Sequence, residues 1–358
     1  MKIALLPGDG IGPEITAATR LVLEAADEIW RIGFTFFEVD IGFKALADHG
    51  STFPDSAYEA VLGADGLILG PVSHLDYPAR DKGGLNPSGE LRKRLDLYAN
   101  IRPARTRPGL PSATGAQFDM VIYRENTEGF YSDRCMHAGN GELQVTEDVA
   151  LATRRITRKA SMRIAEAGFA GAAQRRGKVT AVHKQNVLRI TDGLFLDCCR
   201  EVAGRYPEVA YEELLVDAAC AHLVRRPGDF DVIVTTNMFG DILSDLASEL
   251  SGSLGLAASL NAGQDIAMAQ AQHGSAPDIA GQGIANPASL IGSAGMLLDW
   301  LGARAKRPEV TAAGQSLFAA LEQVLADPES RTRDLGGTLG THAFASAVAS
   351  ALAGGGKP

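Results

Sequence analysis

The stretch of sequence that decides the fold is residues 231–250, which read DVIVTTNMFGDILSDLASEL. Its apolar beginning, residues 231–234, is typical of a buried strand, and the pattern that follows predicts a helix beginning near Asp241. In that helix the apolar stripe that faces the core would consist of Leu243, Leu246 and Leu250. Because side chains four residues apart share a helix face, Asp241 and Asp245 would lie one turn apart. The stretch therefore predicts a strand-to-helix unit that carries two carboxylates.

Asp241 and Asp245 indicate a metal site. Two carboxylates on one helix turn repel each other unless a cation lies between them, and hard oxygen ligands at this spacing suit Mg²⁺ or Mn²⁺. Asp217, which follows another apolar run, could complete the site. The residues alone leave open a second interpretation, in which one aspartate caps the helix, the next is solvated and Asp217 is an ordinary loop acid.

The rest of the chain repeats this alternation of strand and helix. Short aliphatic runs that end in polar, Gly-rich loops predict buried parallel strands at residues 3–6, 67–69, 120–123, 179–182 and 232–234. Apolar residues at spacings of three and four predict helices at residues 14–29, 149–167 and 194–202. The alternation predicts an α/β fold, in which ligands bind at the carboxyl ends of the strands.

The composition of the chain indicates which classes of binding partner to expect. The chain has 358 residues and a formal net charge of -9, so it offers no broadly cationic surface to a phosphate backbone or an acidic membrane. We therefore expect neither nucleic acid nor membrane partners. The N-terminal apolar run is too short for a signal peptide or a membrane span. A reduced, cytoplasmic compartment is expected because no C-x-x-C spacing occurs among the cysteines, which are Cys135, Cys198, Cys199 and Cys220.

Several charged side chains near predicted strand ends or helix turns are candidates for chemistry. Arg92, Arg102 and Arg124 could converge on one pocket and bind a dicarboxylate through paired hydrogen bonds. Lys184 follows the strand at residues 178–183, and a lysine beside a metal ion can have its pKa lowered enough to accept a hydroxyl proton. Tyr131 is a candidate general acid. Taken singly, each of these is more often a surface charge or a packing residue.

Two glycine-containing loops could bring backbone close to a ligand. Residues 8–14, GDGIGPE, follow a strand and open a helix, but their glycine spacing leaves the helix-packing position of the dinucleotide fingerprint without a glycine, so a structural turn is favoured over a pyrophosphate site. Residues 273–281, HGSAPDIAG, form a small-residue loop. Within it, Asp278 could accept hydrogen bonds from the ribose of NAD and would repel the 2′-phosphate of NADP. A turn with no ligand is the alternative.

Together these motifs resemble the β-decarboxylating dehydrogenase family of isocitrate, isopropylmalate, homoisocitrate and tartrate dehydrogenases. The resemblance runs from Met1 to about Val348. It is carried by GDGIGPE at residues 8–14, LDLYANIRP at 95–103, YRENTEGFYS at 123–132, VHKQNVL at 182–188, TTNMFGDILSDLASEL at 235–250 and HGSAPDIAG at 273–281.

The resemblance implies a non-Rossmann, two-lobed isocitrate/isopropylmalate dehydrogenase-like α/β fold, an open sheet with flanking helices. Residues 1–99 and 251–358 would form the cofactor-binding lobe. Residues 100–250 would form the lobe for substrate, metal and dimerisation. A homodimer, which could pair further into a tetramer, would complete each active site, because Lys184 and Asp217 would reach into the partner's pocket.

The resemblance also implies roles for the candidate residues. The side chains that grip the malate carboxylates would be Arg92, Arg102 and Arg124. The ligands of Mg²⁺ or Mn²⁺ would be Asp217, Asp241 and Asp245. Lys184 would take the hydroxyl proton as hydride passes to the nicotinamide, and Tyr131 would protonate carbon 3 after the loss of CO₂.

NAD rather than NADP is the expected cofactor. Asp278 and Ile279 stand where NADP-using isocitrate relatives carry Lys and Tyr. The other residues that the resemblance assigns to the cofactor are Ile11, Asn186, His273, Gly274, Ser275, Ala276 and Asn286.

Two departures from the family pattern bear on cofactor and substrate. Relatives usually carry Glu-Pro-Val before the His-Gly pair, whereas residues 270–272 here read QAQ, which removes a carboxylate beside the cofactor loop. In isopropylmalate enzymes adjacent leucines face the isopropyl group, whereas residues 86–90 here read NPSGE, so that apolar wall is missing. Asn86 and Ser88 approximate the Ser-Asn pair of isocitrate enzymes and are candidate substrate contacts. A further hypothesis is that Arg80 or Lys82 binds a substrate carboxylate, with solvated loop charges as the alternative.

The predicted function is NAD- and divalent-metal-dependent oxidative decarboxylation of a 3-substituted (R)-malate, of the 3-isopropylmalate, isocitrate or homoisocitrate type. The residues leave the substituent on carbon 3 open. One alternative is oxidation of tartrate or D-malate by the same machinery. Another is a non-catalytic regulatory subunit, against which the presence of Tyr131, Lys184 and the three aspartates argues.

Overall fold

The computed structural model describes residues 1–131, 136, 139 and 141–355. The strands within these residues are β1 (Lys2–Leu6), β2 (Thr35–Glu38), β3 (Gly66–Leu69), β4 (Ala99–Arg105), β5 (Asp119–Glu125), β6 (Glu142–Thr146), β7 (Val149–Ala152), β8 (Lys178–His183), β9 (Ala210–Leu215), β10 (Val232–Thr235), β11 (Ala258–Ala262) and β12 (Ala267–Ala271). The helices are α1 (Gly12–Trp30), α2 (Gly42–His49), α3 (Asp55–Val61), α4 (Pro87–Arg94), α5 (Arg158–Ala173), α6 (Thr191–Ala203), α7 (Val216–Arg225), α8 (Asn237–Ser251), α9 (Ala288–Ala305), α10 (Pro308–Ala326) and α11 (Thr341–Gly355).

A ten-stranded mixed sheet runs through the described part of the chain in the order β2-β1-β3-β12-β11-β4-β5-β10-β8-β9. The five strands predicted from sequence all form, and four of them, β1, β3, β8 and β10, pair only in parallel. The fifth, β5, is parallel to β10 but antiparallel to β4. The antiparallel pairs are confined to the centre of the sheet, around β4 and β11. The α/β prediction is confirmed, with a mixed rather than purely parallel sheet.

Helices cover both faces of this sheet, which is why β3 and β10 are buried along their whole length and are apolar apart from Thr235. Gly168 of α5 packs against Val234, while Gly240 of α8 packs against Arg124 on the opposite face. The predicted boundary between lobes falls at the first residues of β4 and in the last turn of α8, and the sheet continues across it. The division into lobes stays a prediction.

Two helix predictions are wrong at their N-terminal ends. The helix expected at residues 149–167 begins only at Arg158, because Val149–Ala152 pair with β6 as an exposed hairpin and Thr157 caps the helix through the amide of Ala160. The helix expected near Asp241 begins at Asn237 instead. Tertiary contacts extend it, since the Asn237 side chain donates to the carbonyl of Glu128 and accepts from Arg124.

The turn GDGIGPE packs directly against the loop that follows β12. Ile11 donates its amide to the carbonyl of Ser275 at 2.9 Å, and a Cβ on Gly10 would stand 2.0 Å from that same oxygen. The Asp9 carboxylate accepts from the amides of Phe43 and Ser73. The turn is therefore a structural junction, as its glycine spacing favours.

No helix in residues 1–131 and 141–355 is both long and apolar enough to cross a bilayer. Cys198 and Cys199 are buried as free thiols, and Cys220 is a half-buried one. Cys135 lies outside the described residues.

Candidate active site

Three buried arginines converge at the centre of the sheet. Arg102 lies on β4 and Arg124 on β5, and in the antiparallel register Arg124 stands opposite Asn100. Side chains directly opposite, and those two positions apart on one strand, share a face of a sheet, so Arg102 and Arg124 project from the same face. Arg92 approaches them from α4. The structure brings together the three arginines that the sequence singles out.

A neutral amide oxygen orients each of these guanidinium groups. Asn237 Oδ1 accepts from Nε and Nη2 of Arg124 at 2.9 and 2.7 Å. Asn100 Oδ1 accepts from Nε of Arg102 at 2.7 Å. Gln270 Oε1 accepts from Nη2 of Arg92 at 2.8 Å. Hydrogen bonds to ionised groups are short and directional, so these amides fix where the positive charges point.

Asp241 and Asp245 lie one turn apart on α8, next to the arginines. Arg102 Nη1 is 3.2 Å from Asp241 Oδ1 and 3.4 Å from Asp245 Oδ1. Arg124 forms an ion pair with Asp241. The Tyr131 hydroxyl donates to Asp241 Oδ2 at 2.6 Å. Two carboxylates, two guanidinium groups and one phenol therefore meet at a single point.

The charges around Asp241 keep it ionised. Burial favours the neutral acid, but the positive charges of Arg124 and Arg102 and the hydrogen bond from Tyr131 outweigh burial, so the pKa of Asp241 lies below its usual range. Burial and repulsion by Arg124 lower the pKa of Arg102 to about 10, against the opposing effect of Asp241 and Asp245. At neutral pH Arg102 is still protonated.

Lys184 and Asp217 pair with each other, and Lys184 forms no ion pair with Asp241 or Asp245. Lys184 follows β8, and its Nζ lies 2.6 Å from Oδ1 of Asp217 in the first turn of α7. The backbone amide of Lys184 donates to the buried Asp192 at 2.6 Å. Asp217 is about two-thirds exposed, with 65% of its side-chain surface accessible. In residues 1–131 and 141–355 of a single chain, no three His, Cys, Asp or Glu side chains gather around a common point.

A cavity of about 250 Å³ lies beside the HGSAPDIAG loop. Six of the residues that the sequence assigns to the cofactor line it: Ile11, His273, Gly274, Ala276, Ile279 and Asn286. Nε2 of His273 is buried and has no hydrogen-bond partner within the described residues. Asn286 Nδ2 donates to Asp334, which also lines the cavity.

Three other predicted cofactor residues lie outside this lining. Ser275 is buried, and its Oγ is 2.8 Å from Oγ of Ser73, so it holds the loop against the strand-to-helix turn. Asp278 is exposed on the short turn Pro277–Ile279. Asn186 is exposed on the loop after β8, two residues from Lys184.

The α4 turn carries the two candidates for the substrate substituent. Asn86 caps the helix by accepting the amide of Gly89 at 3.2 Å. Ser88 Oγ donates to Gln270 Oε1 at 3.2 Å and is buried. Arg80 pairs with Glu90 at 3.3 Å and stays two-thirds exposed, with 68% of its side-chain surface accessible, so this contact supports the solvated alternative for Arg80.

Sequence reasoning gave no role in the site to Asn100, Asn237 and Ser244, and it considered Gln270 and Gln272 only for the cofactor loop. Asn100 and Asn237 orient arginines, and Ser244 Oγ accepts from Arg102 at 2.7 Å. Gln272 Nε2 donates to Asp245 at 2.8 Å, which joins β12 to the acidic face of α8. A signal existed for Asn100, because it is two residues from Arg102 and therefore on the same face of a strand.

The donor sets fit a hard divalent cation and a dinucleotide. Asp241 and Asp245 carry carboxylate oxygens of the kind that Mg²⁺ and Mn²⁺ prefer, and one chain brings together two of the three aspartates that the sequence predicts as ligands. A buried ring nitrogen without a partner ordinarily implies a ligand or water, and His273 Nε2 belongs to the lining of the predicted cofactor cavity. Small residues make up the HGSAPDIAG loop, so its backbone can lie close to a ligand in that cavity.

Comparison with known proteins agrees over nearly the whole chain. The model of the isocitrate/isopropylmalate dehydrogenase family matches residues 2–349. An isocitrate/homoisocitrate dehydrogenase of Thermus thermophilus is 44% identical over 355 residues, which are 98% of each protein. A 3-isopropylmalate dehydrogenase of Archaeoglobus fulgidus is 43% identical over 354 residues, covering 98% of this chain and 99% of that protein.

A mitochondrial enzyme and a crystal structure indicate the same family. Catalytic subunit 6 of the mitochondrial isocitrate dehydrogenase [NAD] of Arabidopsis thaliana is 41% identical over 352 residues, 97% of this chain and 87% of that protein. The crystal structure of isocitrate dehydrogenase from Methylococcus capsulatus superposes with a TM-score of 0.86 at 38% identity, covering 98% of this chain and 99% of that one. The chain therefore belongs to the isocitrate/isopropylmalate dehydrogenase family of β-decarboxylating dehydrogenases and is an enzyme of oxidative decarboxylation of that type.

Proposed function

We propose that this enzyme uses NAD and Mg²⁺ or Mn²⁺ to oxidise and decarboxylate a 3-substituted (R)-malate. The observation that carries the proposal is the meeting of the buried Arg102 and Arg124 with Asp241, Asp245 and the Tyr131 hydroxyl at one point. A pocket with both fixed guanidinium groups and fixed carboxylates suits a ligand that is itself anionic and shares a cation with the protein.

The arginines bind and orient the malate. Arg102, Arg124 and Arg92 are already held by amide oxygens before substrate arrives, so little side-chain freedom is lost on binding. They take the carboxylates of the malate core, while Asn86 and Ser88 at the start of α4 face its substituent.

Asp241 and Asp245 hold the divalent ion together with Asp217 of the partner subunit. When bound, the ion would supply a Lewis acid for the substrate's oxygens, and NAD would supply the acceptor for hydride. Arg102 and Arg124 form ion pairs with Asp241, so these two arginines would hold a substrate carboxylate close to the residues that would bind the ion.

Two side chains move the protons. Lys184 of the partner subunit takes the proton of the C2 hydroxyl as the carbon is oxidised. Tyr131 donates its proton to carbon 3 once CO₂ has left. The 2.6 Å hydrogen bond from Tyr131 to Asp241 holds the phenol beside the substrate's carbon skeleton.

NAD binds in the cavity beside the HGSAPDIAG loop. His273 Nε2 provides a buried polar atom for the adenine side, and Asn286 flanks it. The exposed carboxylate of Asp278 is suited to ribose hydroxyls and repels a 2′-phosphate, so we expect NAD to be preferred over NADP.

A homodimer completes each site. In one chain Lys184 pairs with Asp217, and within the described residues Asp217 does not gather with Asp241 and Asp245 around a common point, which a site shared between two copies would explain. Exposed apolar side chains occur in the same part of the chain, on the β6–β7 hairpin and beside the Lys184 and Asp241 segments: Leu143, Val145, Val149, Leu151, Val187, Ile190 and Ile242. Apolar patches of this kind mark protein interfaces. We assign residues 100–250 to the substrate, metal and dimer lobe, and residues 1–99 and 251–358 to the cofactor lobe.

Substrate profiling tests the proposal. The purified chain with Mn²⁺ is assayed for NADH and CO₂ on isocitrate, homoisocitrate, 3-isopropylmalate, tartrate and D-malate, and again with NADP. We expect turnover with NAD on a 3-substituted malate, and loss of turnover in Arg124→Met. A folded protein that forms no NADH with any of the five acids would refute the proposal, and turnover restricted to the unsubstituted acids would redirect it to tartrate or D-malate oxidation.

A further inference from the structure

The side chain of Gln272 joins β12 to the helix that carries the candidate metal ligands. Gln272 follows β12 directly, and its backbone amide lies 3.4 Å from the carbonyl oxygen of Ala257 and 3.4 Å from Oγ of Ser289. Its Nε2 donates to Oδ1 of Asp245 on α8 at 2.8 Å. Because a carboxylate only accepts hydrogen bonds, the NH₂ end of the carboxamide is the end that faces Asp245.

Few other contacts fix the carboxylate of Asp245. Its side chain is 56% exposed, and Arg102 Nη1 reaches the same Oδ1 only at 3.4 Å. Elsewhere in the described part of the chain no hydrogen bond reaches Oδ2. Asp241, one turn earlier, is by contrast held by two arginines and a tyrosine hydroxyl. Gln272 therefore makes the shortest contact that orients Asp245, and it leaves Oδ2 open to an ion.

The other polar atom of the Gln272 side chain has no partner. Oε1 is buried and accepts no hydrogen bond from the described residues. An unsatisfied buried oxygen costs free energy, so the carboxamide stabilises the structure only through its Nε2 end. Replacing Gln272 by an apolar residue removes one side-chain hydrogen bond and one unsatisfied atom, and the fold should tolerate this exchange.

Hydrogen-bond partners of a metal-binding carboxylate orient it before the ion arrives. Removal of such a partner typically weakens metal binding by about 10–100-fold. Relatives usually carry Val where this chain has Gln272, so the aspartates of the family do not require this contact. In this chain the contact is an addition to the acidic site, and its loss should weaken the site without abolishing it.

We infer that Gln272 is a positioning residue that strengthens binding of the divalent ion. Its hydrogen bond to Oδ1 restricts the rotation of an otherwise exposed carboxylate, so less side-chain freedom is lost when Asp245 takes an ion. This inference rests on the proposed function, in which Asp245 is a metal ligand.

Two variants of Gln272 and one matched control test this role. Gln272→Val introduces the residue usual in relatives, and Gln272→Met keeps the length of the side chain but removes the donor. Gln264→Met is the control, because Gln264 lies on the exposed turn between β11 and β12. Circular dichroism and thermal melting verify that each variant is folded. The dissociation constant for Mn²⁺ is measured without substrate or NAD, by the electron paramagnetic resonance of free Mn²⁺.

The same exchange is also made in an Asp245→Ala background. If Gln272 acts through Asp245, Gln272→Val should change the dissociation constant there by less than about twofold, because the side chain that it orients is already gone. In the wild-type background Gln272→Val and Gln272→Met should each raise the dissociation constant about tenfold. Their kcat at saturating Mn²⁺ should stay within about twofold of wild type, and Gln264→Met should change neither quantity.

Three results would overturn the inference: an unchanged or lower dissociation constant in both Gln272 variants, an equal rise in the Asp245→Ala background, or a fall in kcat at saturating Mn²⁺ with the dissociation constant unaltered. Wild-type protein that binds no Mn²⁺ and turns over no malate would instead reject the proposed function. Since wild type is measured first, the two failures are distinguishable.

Discussion

Mixing two inactive variants tests whether the active site is shared between subunits. In one chain Lys184 pairs with Asp217 at 2.6 Å, whereas Tyr131 pairs with Asp241 at 2.6 Å. The residues expected to act together therefore fall into two separate halves. If a dimer joins one half from each chain, Lys184→Met and Asp241→Asn damage different halves. Each variant alone should lose about 10²-fold or more in kcat, the usual contribution of a proton-transfer or metal-binding side chain.

The magnitude of rescue follows from the symmetry of a dimer. Equal amounts of the two variants, unfolded and refolded together, give mixed dimers in about half of the population. In each mixed dimer one site carries both changes and the other carries neither. Activity should therefore recover to about one quarter of wild type, and to about one half for mixed dimers isolated through two different affinity tags. NADH formation on the best malate measures this recovery.

A matched pair of variants supplies the control. Lys184→Met and Asp217→Asn alter the same half, because the two side chains are in contact. Their mixed dimers contain no intact site and should stay inactive. Recovery in this control pair, or none in the Lys184→Met and Asp241→Asn pair, would refute the reasoning that the halves are joined across a dimer.

Three further predictions follow from single contacts. Gly240→Ala would place a Cβ 2.6 Å from Cβ of Arg124. We therefore expect a higher KM for the malate, measured by kinetics, and a loss of about 1–3 kcal/mol in the free energy of unfolding, measured with denaturant. Wild-type values of both would contradict this packing argument. Asp278→Lys combined with Ile279→Tyr should lower kcat/KM for NAD and raise kcat/KM for NADP, because a cation would then face the 2′-phosphate. If the ratio of kcat/KM for NAD to kcat/KM for NADP did not change, this loop would not determine cofactor choice. Burial raises the pKa of Glu128 to about 7, above its ordinary 4.5. Its contribution to stability is therefore full below the unfolded pKa and is lost as pH rises through about 7. Glu128→Gln should raise Tm relative to wild type near pH 8 and not near pH 5, whereas an equal difference at both would count against this titration.

Local sequence pattern was sufficient for much of the fold. Continuous apolar runs predicted β1, β3, β5, β8 and β10, because strands buried on both faces must be apolar throughout. Helical periodicity predicted α1 and α6, because a helix that is buried on one side carries an apolar stripe along that side. It failed at residues 149–167, where the β6–β7 hairpin is exposed and so carries no core-facing pattern that distinguishes strand from helix.

Residue type and spacing also identified most of the site, since the arginines and two aspartates selected from sequence converge in the fold. Those patterns could not predict which neutral side chain forms hydrogen bonds with which arginine. Asn100 and Gln270 are 170 positions apart in the numbering, yet Asn261 joins them in one buried network.

The sequence by itself determined the chemistry available: which side chains carry charge, which strands are buried and which loops are small enough to approach a ligand. Only the tertiary structure decided that neutral amides orient all three arginines, that Gln272 reaches Asp245, and that Lys184 pairs with Asp217. The physical reason is that charge and hydrophobicity are properties of single residues. Hydrogen-bond partners, by contrast, depend on the register of strands that meet only after the sheet has assembled.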